Sequence, residues 1–205
     1  MPGIQTYCHI RNNRVYLDGK LAFEGKEAAG LHQLAAQAYR HFRIKYPKFH
    51  KMDDISKLGF LGAELMIRNR KEEVGPDTAV ILSNASSTLV TDSAFQKSIN
   101  SYEHFFPSPS VFVYTLPNIM IGEISIRHQL RGENAFFIFD RFNGAFLTDY
   151  INLLFQQRKV NNCIGGWVEQ SDKDYEAFMY FVGRDDSKAL TGHKGAKVME
   201  LYKNI

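Results

Sequence analysis

Two short apolar runs constrain the fold of this chain most. Residues 78–83 (Thr-Ala-Val-Ile-Leu-Ser) and 135–139 (Ala-Phe-Phe-Ile-Phe) carry no charge and do not alternate between polar and apolar side chains. Such a run is typical of a strand that is buried on both faces by helices. Amphipathic segments surround both runs. The pattern predicts an α/β fold in which helices flank a mostly parallel mixed sheet.

Hydrophobic periodicity predicts the remaining elements. Residues 5–11 and 14–17 flank Asn12-Asn13 and predict a short hairpin or two edge strands. Two neighbouring strands are expected at residues 163–169 and 175–182, and a polar tail or short final helix from residue 185. Helical spacing predicts five helices: about 26–43, 54–66 after Asp53 or Asp54 as the cap, a stretch from the turn at 84–88 to about residue 100, 108–130 with a bend at Pro117, and 143–159.

Composition bears on size, cofactors and location. The chain has 205 residues, 44% of them hydrophobic, and can bury one substantial core, so we expect one domain over residues 1–205. Cys8 and Cys163 lie far apart without metal-ligand spacing, and neither a metal nor another cofactor is expected. The N-terminus lacks a signal-peptide pattern, which predicts a cytoplasmic protein, and prolines within residues 105–122 argue against a membrane anchor.

A basic segment lies near the N-terminus. Residues 1–51 contain nine Lys and Arg against three Asp and Glu, whereas the remainder contains sixteen against nineteen. Three interpretations stay open: docking of an acidic protein, binding of nucleic acid through phosphates and stacking aromatics, and a solvated helix face whose aromatics point into the core. The candidate docking residues are Arg40, Arg43, Lys45, Lys48 and Lys51.

The most specific motif spans residues 132–144. Gly132-Glu-Asn leads along the second apolar run to Asp140-Arg141-Phe142-Asn143-Gly144. This resembles the β-ketoacyl synthase segment in which Gly-Pro-Asn leads along a strand to the nucleophilic Cys at a sharp turn into a helix. Further segments resemble the same family in the same order, over roughly residues 46–182: residues 51–57, residues 79–86, Asn118 with Gly122, and Gly165-Gly-Trp-Val-Glu169.

The resemblance implies a fold and a missing part. β-Ketoacyl synthases have the thiolase fold, which consists of two similar halves, and this chain has the length of the first half only. We therefore expect a single β-ketoacyl synthase N-terminal-like domain, with a tail over residues 185–205. The family's catalytic histidines come from the second half. The resemblance thus implies a chain without them.

Arg141 stands where the family's spacing puts the nucleophilic Cys. A guanidinium stays protonated and has no lone pair, so it cannot form the acyl thioester of the family's reaction. Two interpretations remain open. In the first, the residues at the helix start hold a carboxylate or phosphate, such as a malonyl group or a pantetheine phosphate; these residues are Arg141, Phe142, Asn143 and Gly144. In the second, Asp140 or an acid of a partner pairs with Arg141, and the pocket is simply filled.

Two further sites are weaker candidates. Residues 188–193 (Lys-Ala-Leu-Thr-Gly-His) are similar to the second-half motif Lys-Ser-x-x-Gly-His, either as a remnant, which would make Lys188 and His193 an acid/base pair, or by coincidence. Ser86, Ser87 and Thr88 precede a helix and are interpreted as caps or as an anion-binding turn.

Three functions follow from these patterns. The first is a non-catalytic ketosynthase-like protein, a pseudoenzyme that serves as a partner or accessory subunit in fatty-acid or polyketide biosynthesis. It would form a homodimer, or a heterodimer with a full-length synthase, and would contact an acyl carrier protein. The second is an acyltransferase or 3-oxoacyl-ACP synthase that uses Lys188 and His193 or is completed by a second chain. The third is a nucleic-acid binder with a basic surface.

Overall fold

The computed structural model describes residues 2–26, 30–70, 73–100, 105–172 and 174–204. One sheet contains strands β1 (Gly3–Arg11), β2 (Arg14–Leu17), β3 (Lys20–Glu24), β4 (Ala79–Asn84), β5 (Asn134–Ile138), β6 (Asn162–Gln170), β7 (Tyr175–Gly183) and β8 (Thr191–Gly192). The α-helices are α1 (Leu31–His41), α2 (Asp54–Ile67), α3 (Leu89–Lys97), α4 (Pro109–Val113), α5 (Ile119–His128), α6 (Gly144–Gln156) and α7 (Gly195–Lys203). Short 3₁₀ helices lie at Pro47–Lys51 and Asp186–Lys188.

The sheet is mixed, as the sequence predicts. Its strand order is β3-β2-β1-β7-β6-β4-β5, and β8 pairs with β1 beside this path. Strands β1, β3, β4, β5 and β6 share one direction, but only β4–β5 and β4–β6 are parallel neighbours; the other five pairings in the described residues are antiparallel. The expected predominance of parallel pairing is therefore corrected. The reason is that β7 turns back between β6 and β1, and the N-terminal hairpin extends the sheet beyond β1.

Helices cover both faces of the sheet. Successive side chains of a strand point to opposite faces, and on β4 Val80 and Leu82 join one core, whereas Ala79 and Ile81 join the other. The first core contains α1, α2 and α5, and the second contains α6 and α7. The α/β class with flanking helices is thus confirmed. Within the described residues, none of the helices combines the length and the apolar character that a membrane crossing requires.

The two apolar runs take different places in the sheet. Strand β4 is buried along its whole length, as predicted. Within the described ranges, strand β5 pairs only with β4 and forms one edge of the sheet, and Ile138 on it is 52% exposed. The prediction that residues 135–139 form a fully buried strand is therefore wrong. An outermost strand has a neighbouring strand on one side only, and its other side is not covered by the sheet.

Helix α2 is the central helix of the first core. Asp53 caps it by accepting a hydrogen bond from the backbone N–H of Ser56 at 3.1 Å, as predicted. All its residues from Ile55 to Ile67 are buried. Glu64 on this helix accepts two hydrogen bonds of 2.9 Å from Arg127 of α5. Burial alone would raise the pKa of Glu64, but hydrogen bonds from Arg127 and His128 outweigh it and lower the pKa to about 2.

Other predicted elements differ in extent. The segment 108–130 forms two helices, α4 and α5, with a turn between them instead of one bent helix. Pro117 in this turn has no N–H to donate, which favours ending the first helix before it. The hairpin of β1 and β2 is confirmed, but β1 is an interior strand because β7 pairs with its other side. The end of the chain forms the short final helix α7.

Candidate functional site

The bend between β5 and α6 is the site that the sequence singles out. Phe139 closes the strand by donating its backbone N–H to the carbonyl of Asn84 at 2.9 Å. Asp140 and Arg141 form a bend, and α6 begins at Gly144. Asn143 is the N-cap, since its side-chain oxygen accepts the backbone N–H of Phe146 at 3.0 Å. Arg141 thus lies on the strand-to-helix bend where the resemblance expects it.

The side chain of Arg141 is exposed. It makes no hydrogen bond or ion pair within the described residues, and Asp140 is not its partner there. The interpretation in which Asp140 neutralises Arg141 therefore does not fit the geometry. A cation at a helix N-terminus is repelled by the helix dipole. Among the described residues, this charge is therefore without an anionic partner.

Aromatic side chains fill the space behind the bend. Phe142, directly after Arg141, is buried, and its ring lies 4.6 Å from that of Tyr202 and 5.5 Å from that of Phe178, measured between centroids. Trp167 of β6 lies 6.1 Å from Phe142 in the same cluster. Phe142 is therefore part of the second core. Among the candidate residues 141–144 at the bend, Arg141 is the charged one, and it is exposed to solvent.

The turn after β4 holds an anion supplied by the chain itself. The carboxylate of Glu169 on β6 accepts the backbone N–H groups of Ala85 and Ser86 at 2.6 and 3.2 Å. Asn84 exchanges hydrogen bonds with the backbone of Ser87, which holds the turn in shape. Of the residues proposed as caps or as an anion-binding turn, only Ser86 contacts this carboxylate, and Thr88, the N-cap of α3, makes no side-chain cap hydrogen bond within the described residues. The turn's N–H groups at residues 85 and 86 are therefore already occupied. Sequence reasoning missed Glu169 as the occupant.

Lys188 and His193 do not form a pair. Lys188 is exposed and binds the carboxylate of Glu73 at 3.1 Å. His193 is 4% exposed and lies beside α6, where its Nδ1 is 2.9 Å from Oδ1 of Asn152. The two residues line different cavities. Asn152, the partner of His193, lies eight residues beyond the start of α6, about 12 Å along the helix axis from that start.

Burial sets the chemistry of His193. The side-chain N–H of Asn152 donates to the backbone carbonyl of His193 at 3.4 Å, so the Asn152 carbonyl oxygen faces Nδ1 and accepts its proton. Nε2 then carries the lone pair, is buried, and has no hydrogen-bond partner among the residues that the structure describes. An unmet buried acceptor costs about 1–3 kcal/mol. Desolvation by burial lowers the pKa of His193 to about 4, and the ring is neutral at pH 7.

The basic segment is a solvent-exposed surface. Its candidate docking residues are all exposed: Arg40, Arg43, Lys45, Lys48 and Lys51. Lys48 forms an ion pair with the buried carboxylate of Glu123, with 2.9 Å between Nζ and Oε1. The interleaved aromatics instead face the protein, since Tyr39 stacks on Phe49 and Tyr46 on Phe60. The segment therefore offers positive charge without an exposed Tyr or Phe platform for bases.

The remaining reactive groups are buried or dispersed. Cys8 and Cys163 are the two cysteines of the chain, both are buried, and desolvation raises the pKa of each thiol. Neither thiol is available as a nucleophile at the bend. In the described part of the chain, no group of three or more His, Cys, Asp or Glu side chains is arranged to hold a metal ion.

Comparison with known proteins identifies the fold. No protein-family model matches the sequence, and no curated protein matches it either. Among solved structures, "The ishigamide ketosynthase/chain length factor" matches with a TM-score of 0.67 at 14% identity, over 93% of this chain and 63% of that chain. The ketosynthase ApeO in complex with its chain length factor ApeC, from Xenorhabdus doucetiae, matches with a TM-score of 0.55 at 8% identity, over 89% of this chain and 79% of that chain.

A third match is AntDE:AntF, a type II polyketide synthase acyl-carrier protein in complex with its ketosynthase. It has a TM-score of 0.60 at 10% identity and covers 89% of this chain and 62% of the matched chain. This chain thus spans less than two thirds of the length of two of these three relatives. The agreement in fold extends over nearly all of its own residues. The chain therefore has the thiolase-like α/β fold of the ketosynthases.

Proposed function

We propose that this chain is a non-catalytic ketosynthase-like subunit that acts beside a partner synthase in polyketide-type or fatty-acid synthesis. The observation that carries the proposal is the place of Arg141, exposed on the bend between β5 and α6. The family resemblance puts the nucleophilic Cys at this position, and an arginine cannot replace it. Two of the matched structures contain a ketosynthase and a chain length factor, which fits a partner role.

Three observations favour this role over the alternatives. Both thiols are buried, so no other cysteine replaces the missing nucleophile. Lys188 and His193 are bound to separate partners, which argues against the acid/base pair that an acyltransferase would need. The aromatics of the basic segment pack against the first core and are partly or fully buried, which argues against single-stranded nucleic acid as a ligand.

The free edge of the sheet supports a partner subunit. An edge strand presents unpaired N–H and C=O groups that can pair with another chain. Beside β5, apolar side chains remain exposed on α6, where Phe146 is 37% and Leu153 is 46% exposed. We propose that a second copy of this chain, or a complete ketosynthase, pairs along β5, and that the single domain of residues 1–205 enters this dimer as a unit.

Replacing Ile138 with Lys on β5 is expected to weaken this association at least about tenfold, because the substitution places a charge in an apolar contact. Sedimentation equilibrium of the chain alone measures its association with a second copy. Co-purification from the native cell extract measures its association with a complete ketosynthase. Leu21→Lys on β3, the opposite edge strand, is the matched control, since Leu21 is also 52% exposed.

Two results would contradict the interface: an Ile138→Lys variant that associates as tightly as the wild type, or a wild-type chain that stays monomeric at tens of micromolar and captures no synthase. Loss of association in both variants would point to a general loss of folding. Thermal unfolding of each variant separates that case from loss of the interface.

The basic segment gives a second contact. We propose that Arg40, Arg43, Lys45, Lys48 and Lys51 steer an acidic acyl carrier protein towards this subunit, because exposed charges of one sign attract a partner of the opposite sign. One matched structure is a complex of a ketosynthase with its acyl-carrier protein, which is consistent with such a partner.

We also propose that Arg141, with backbone N–H groups at the start of α6, holds a carboxylate or phosphate. Malonyl-pantetheine at ten times its Kd is expected to stabilise the wild type by about 1.4 kcal/mol, which raises Tm by about 3–6 °C. Arg141→Gln should abolish the shift. Arg131→Gln is the control, because Arg131 is an exposed arginine just before β5. An unchanged wild-type Tm, or the same shift in the Arg141 variant, would exclude this anion site.

A further inference from the structure

An open cavity of about 550 Å³ lies between the turn that joins β2 and β3, the C-terminal end of α2, and the 3₁₀ helix at Asp186–Lys188. Binding pockets for small molecules measure roughly 300–1,000 Å³, so the cavity has room for such a ligand. The apolar part of its lining consists of Leu17, Leu65 and Met66, and the other lining residues in the described part of the chain are polar or charged. The bend at Arg141 and the strand β5 contribute nothing to this lining.

The cationic part of the lining is held by a bulge in β1. The pairing of β1 with β7 shifts its register at Gln5, and a bulge leaves its extra residue unpaired in the sheet. Arg70 donates to the backbone carbonyl and to the side-chain oxygen of Gln5, both at 3.2 Å, and to Glu73 at 3.0 Å. Glu73 also binds Lys188 at 3.1 Å. Within the lining, one carboxylate thus serves two cations, and this part of the cavity carries one excess positive charge.

The acidic part of the lining is Asp18. With Gly19 it forms the two-residue loop between β2 and β3, and both have the positive φ that an Asp-Gly hairpin turn requires, 50° and 77°. Oδ1 accepts the hydroxyl group of Thr6 at 2.8 Å and the backbone N–H of Tyr7 at 2.9 Å, which fixes the carboxylate. Asp18 is exposed and makes no ion pair within the described residues, and its Oδ2 makes no hydrogen bond there. Oδ2 therefore remains an accessible negative acceptor.

The two charged centres lie a short distance apart. Adjacent residues connect them, since Arg70 binds the carbonyl of Gln5 and Asp18 binds the hydroxyl group of Thr6. Standard bond lengths then limit the distance between Nη2 of Arg70 and Oδ1 of Asp18 to about 11 Å. A hydrogen bond of about 2.9 Å at each end leaves about 5 Å for a ligand between them. The ammonium and carboxylate groups of a short amino acid span such a distance.

We propose that the cavity binds the zwitterion of a small amino acid. Its ammonium group donates to Oδ2 of Asp18, its carboxylate accepts from Lys188 and Arg70, and its hydrocarbon part packs on Leu65 and Met66. Arg70 is able to donate to it, because only three of its five N–H groups are used within the described residues. A ligand with a single charge would leave the opposite centre uncompensated. The proposal goes beyond the ketosynthase-like role and does not rest on it, since neither the bend nor β5 takes part.

Three probes of one chain length test the recognition chemistry. 4-Aminobutyrate carries both charged groups, butyrate lacks the ammonium group, and butylamine lacks the carboxylate. Each is titrated at constant ionic strength into ¹⁵N-labelled protein and followed by NMR, in which the backbone N–H of Asp18 and the side-chain amide of Asn69, another lining residue, report the contact. 4-Aminobutyrate is expected to shift both resonances saturably. It should bind about tenfold more tightly than either other probe, as one added charged hydrogen bond predicts.

Single substitutions assign the two contacts. Asp18→Asn keeps a side-chain oxygen for Thr6 and a residue that suits the turn, and it should bind 4-aminobutyrate only as weakly as the wild type binds butyrate. Lys188→Gln should bind it only as weakly as the wild type binds butylamine. The matched controls Asp172→Asn, between β6 and β7, and Lys203→Gln, at the end of α7, lie outside the lining and should leave binding unchanged.

Three outcomes would overturn the proposal: equal binding of the three probes by the wild type, no saturable shift with 4-aminobutyrate, or undiminished binding by the Asp18→Asn variant. If a variant does not fold, the probe series on the wild type still decides.

Discussion

Replacing Gly166 with Ala is expected to lower the free energy of unfolding by about 3 kcal/mol. A Cβ atom at this position on β6 would lie 2.5 Å from the backbone oxygen of Phe178 and 3.0 Å from Cα of Met179. Both atoms belong to the backbone of β7, which pairs with β6 in register at Gly166 and Met179. A side chain can rotate away from a clash, but a paired strand cannot. The two strands must therefore separate locally in the centre of the sheet.

Equilibrium unfolding in urea measures this loss. Gly122→Ala on α5 is the matched control, because an added Cβ there has no atom within 4 Å. An alanine inside a helix is favoured over glycine by about 0.5–1 kcal/mol, so this control should be slightly more stable than the wild type. If Gly166→Ala lost less than about 1 kcal/mol, the tight packing of β6 against β7 would be incorrect.

Acid is expected to destabilise the protein by about 4 kcal/mol between pH 7.5 and 5, because two histidines are buried in the neutral form. Burial is the main cause that lowers the pKa of His9 to about 4, with a further contribution from the charge of Arg11, and burial does the same for His193. Both pKa values lie below the ordinary 6.5. The unfolded chain therefore binds more protons than the folded protein below pH 6.5, and stability falls as pH falls towards 4.

The expected loss is about 2 kcal/mol for each histidine at pH 5, since pH 5 lies about 1.5 units below the unfolded pKa. His9 is stacked 4.6 Å from Phe178 and lies 6.5 Å from Tyr202, whose hydroxyl donates to Glu176. Urea unfolding at pH 7.5, 6 and 5 measures the effect. All three values lie above the pKa of Glu64, which is about 2, so Glu64 stays ionised in the folded protein. His9→Leu and His193→Leu should each remove about half of the pH dependence. Stability that does not change over this range would contradict the buried neutral histidines.

Local sequence patterns were sufficient where neighbouring residues decide the outcome. Asp53 caps α2 through Ser56, three residues later, and Asn143 caps α6 through Phe146 in the same way. Both caps define helix starts that the sequence predicts. The position of Arg141 on the bend follows from the second of them, because the end of β5 and the start of α6 are only a few residues apart.

Contacts between distant residues had no comparable signal. Glu169 reaches the turn of Ala85 across 84 positions, and Asn152 orients His193 across 41. No periodicity connects such pairs, and each residue type alone has many ordinary roles. The same limit explains why the apolar run of residues 135–139 was expected to be buried. The composition of a strand indicates that it prefers an apolar environment. The number of strands beside it, however, depends on where the sheet ends.

The amino-acid sequence by itself determined the α/β class, the extent of most helices and strands, and the guanidinium at the bend, because hydrophobic periodicity and capping act within a few residues. Only the tertiary structure decided that β5 is an edge strand, that Lys188 and His193 are separated, and that His193 keeps an unused acceptor beside a cavity. These properties depend on which remote segments the sheet and its helices bring into contact, and chain order does not contain that information locally.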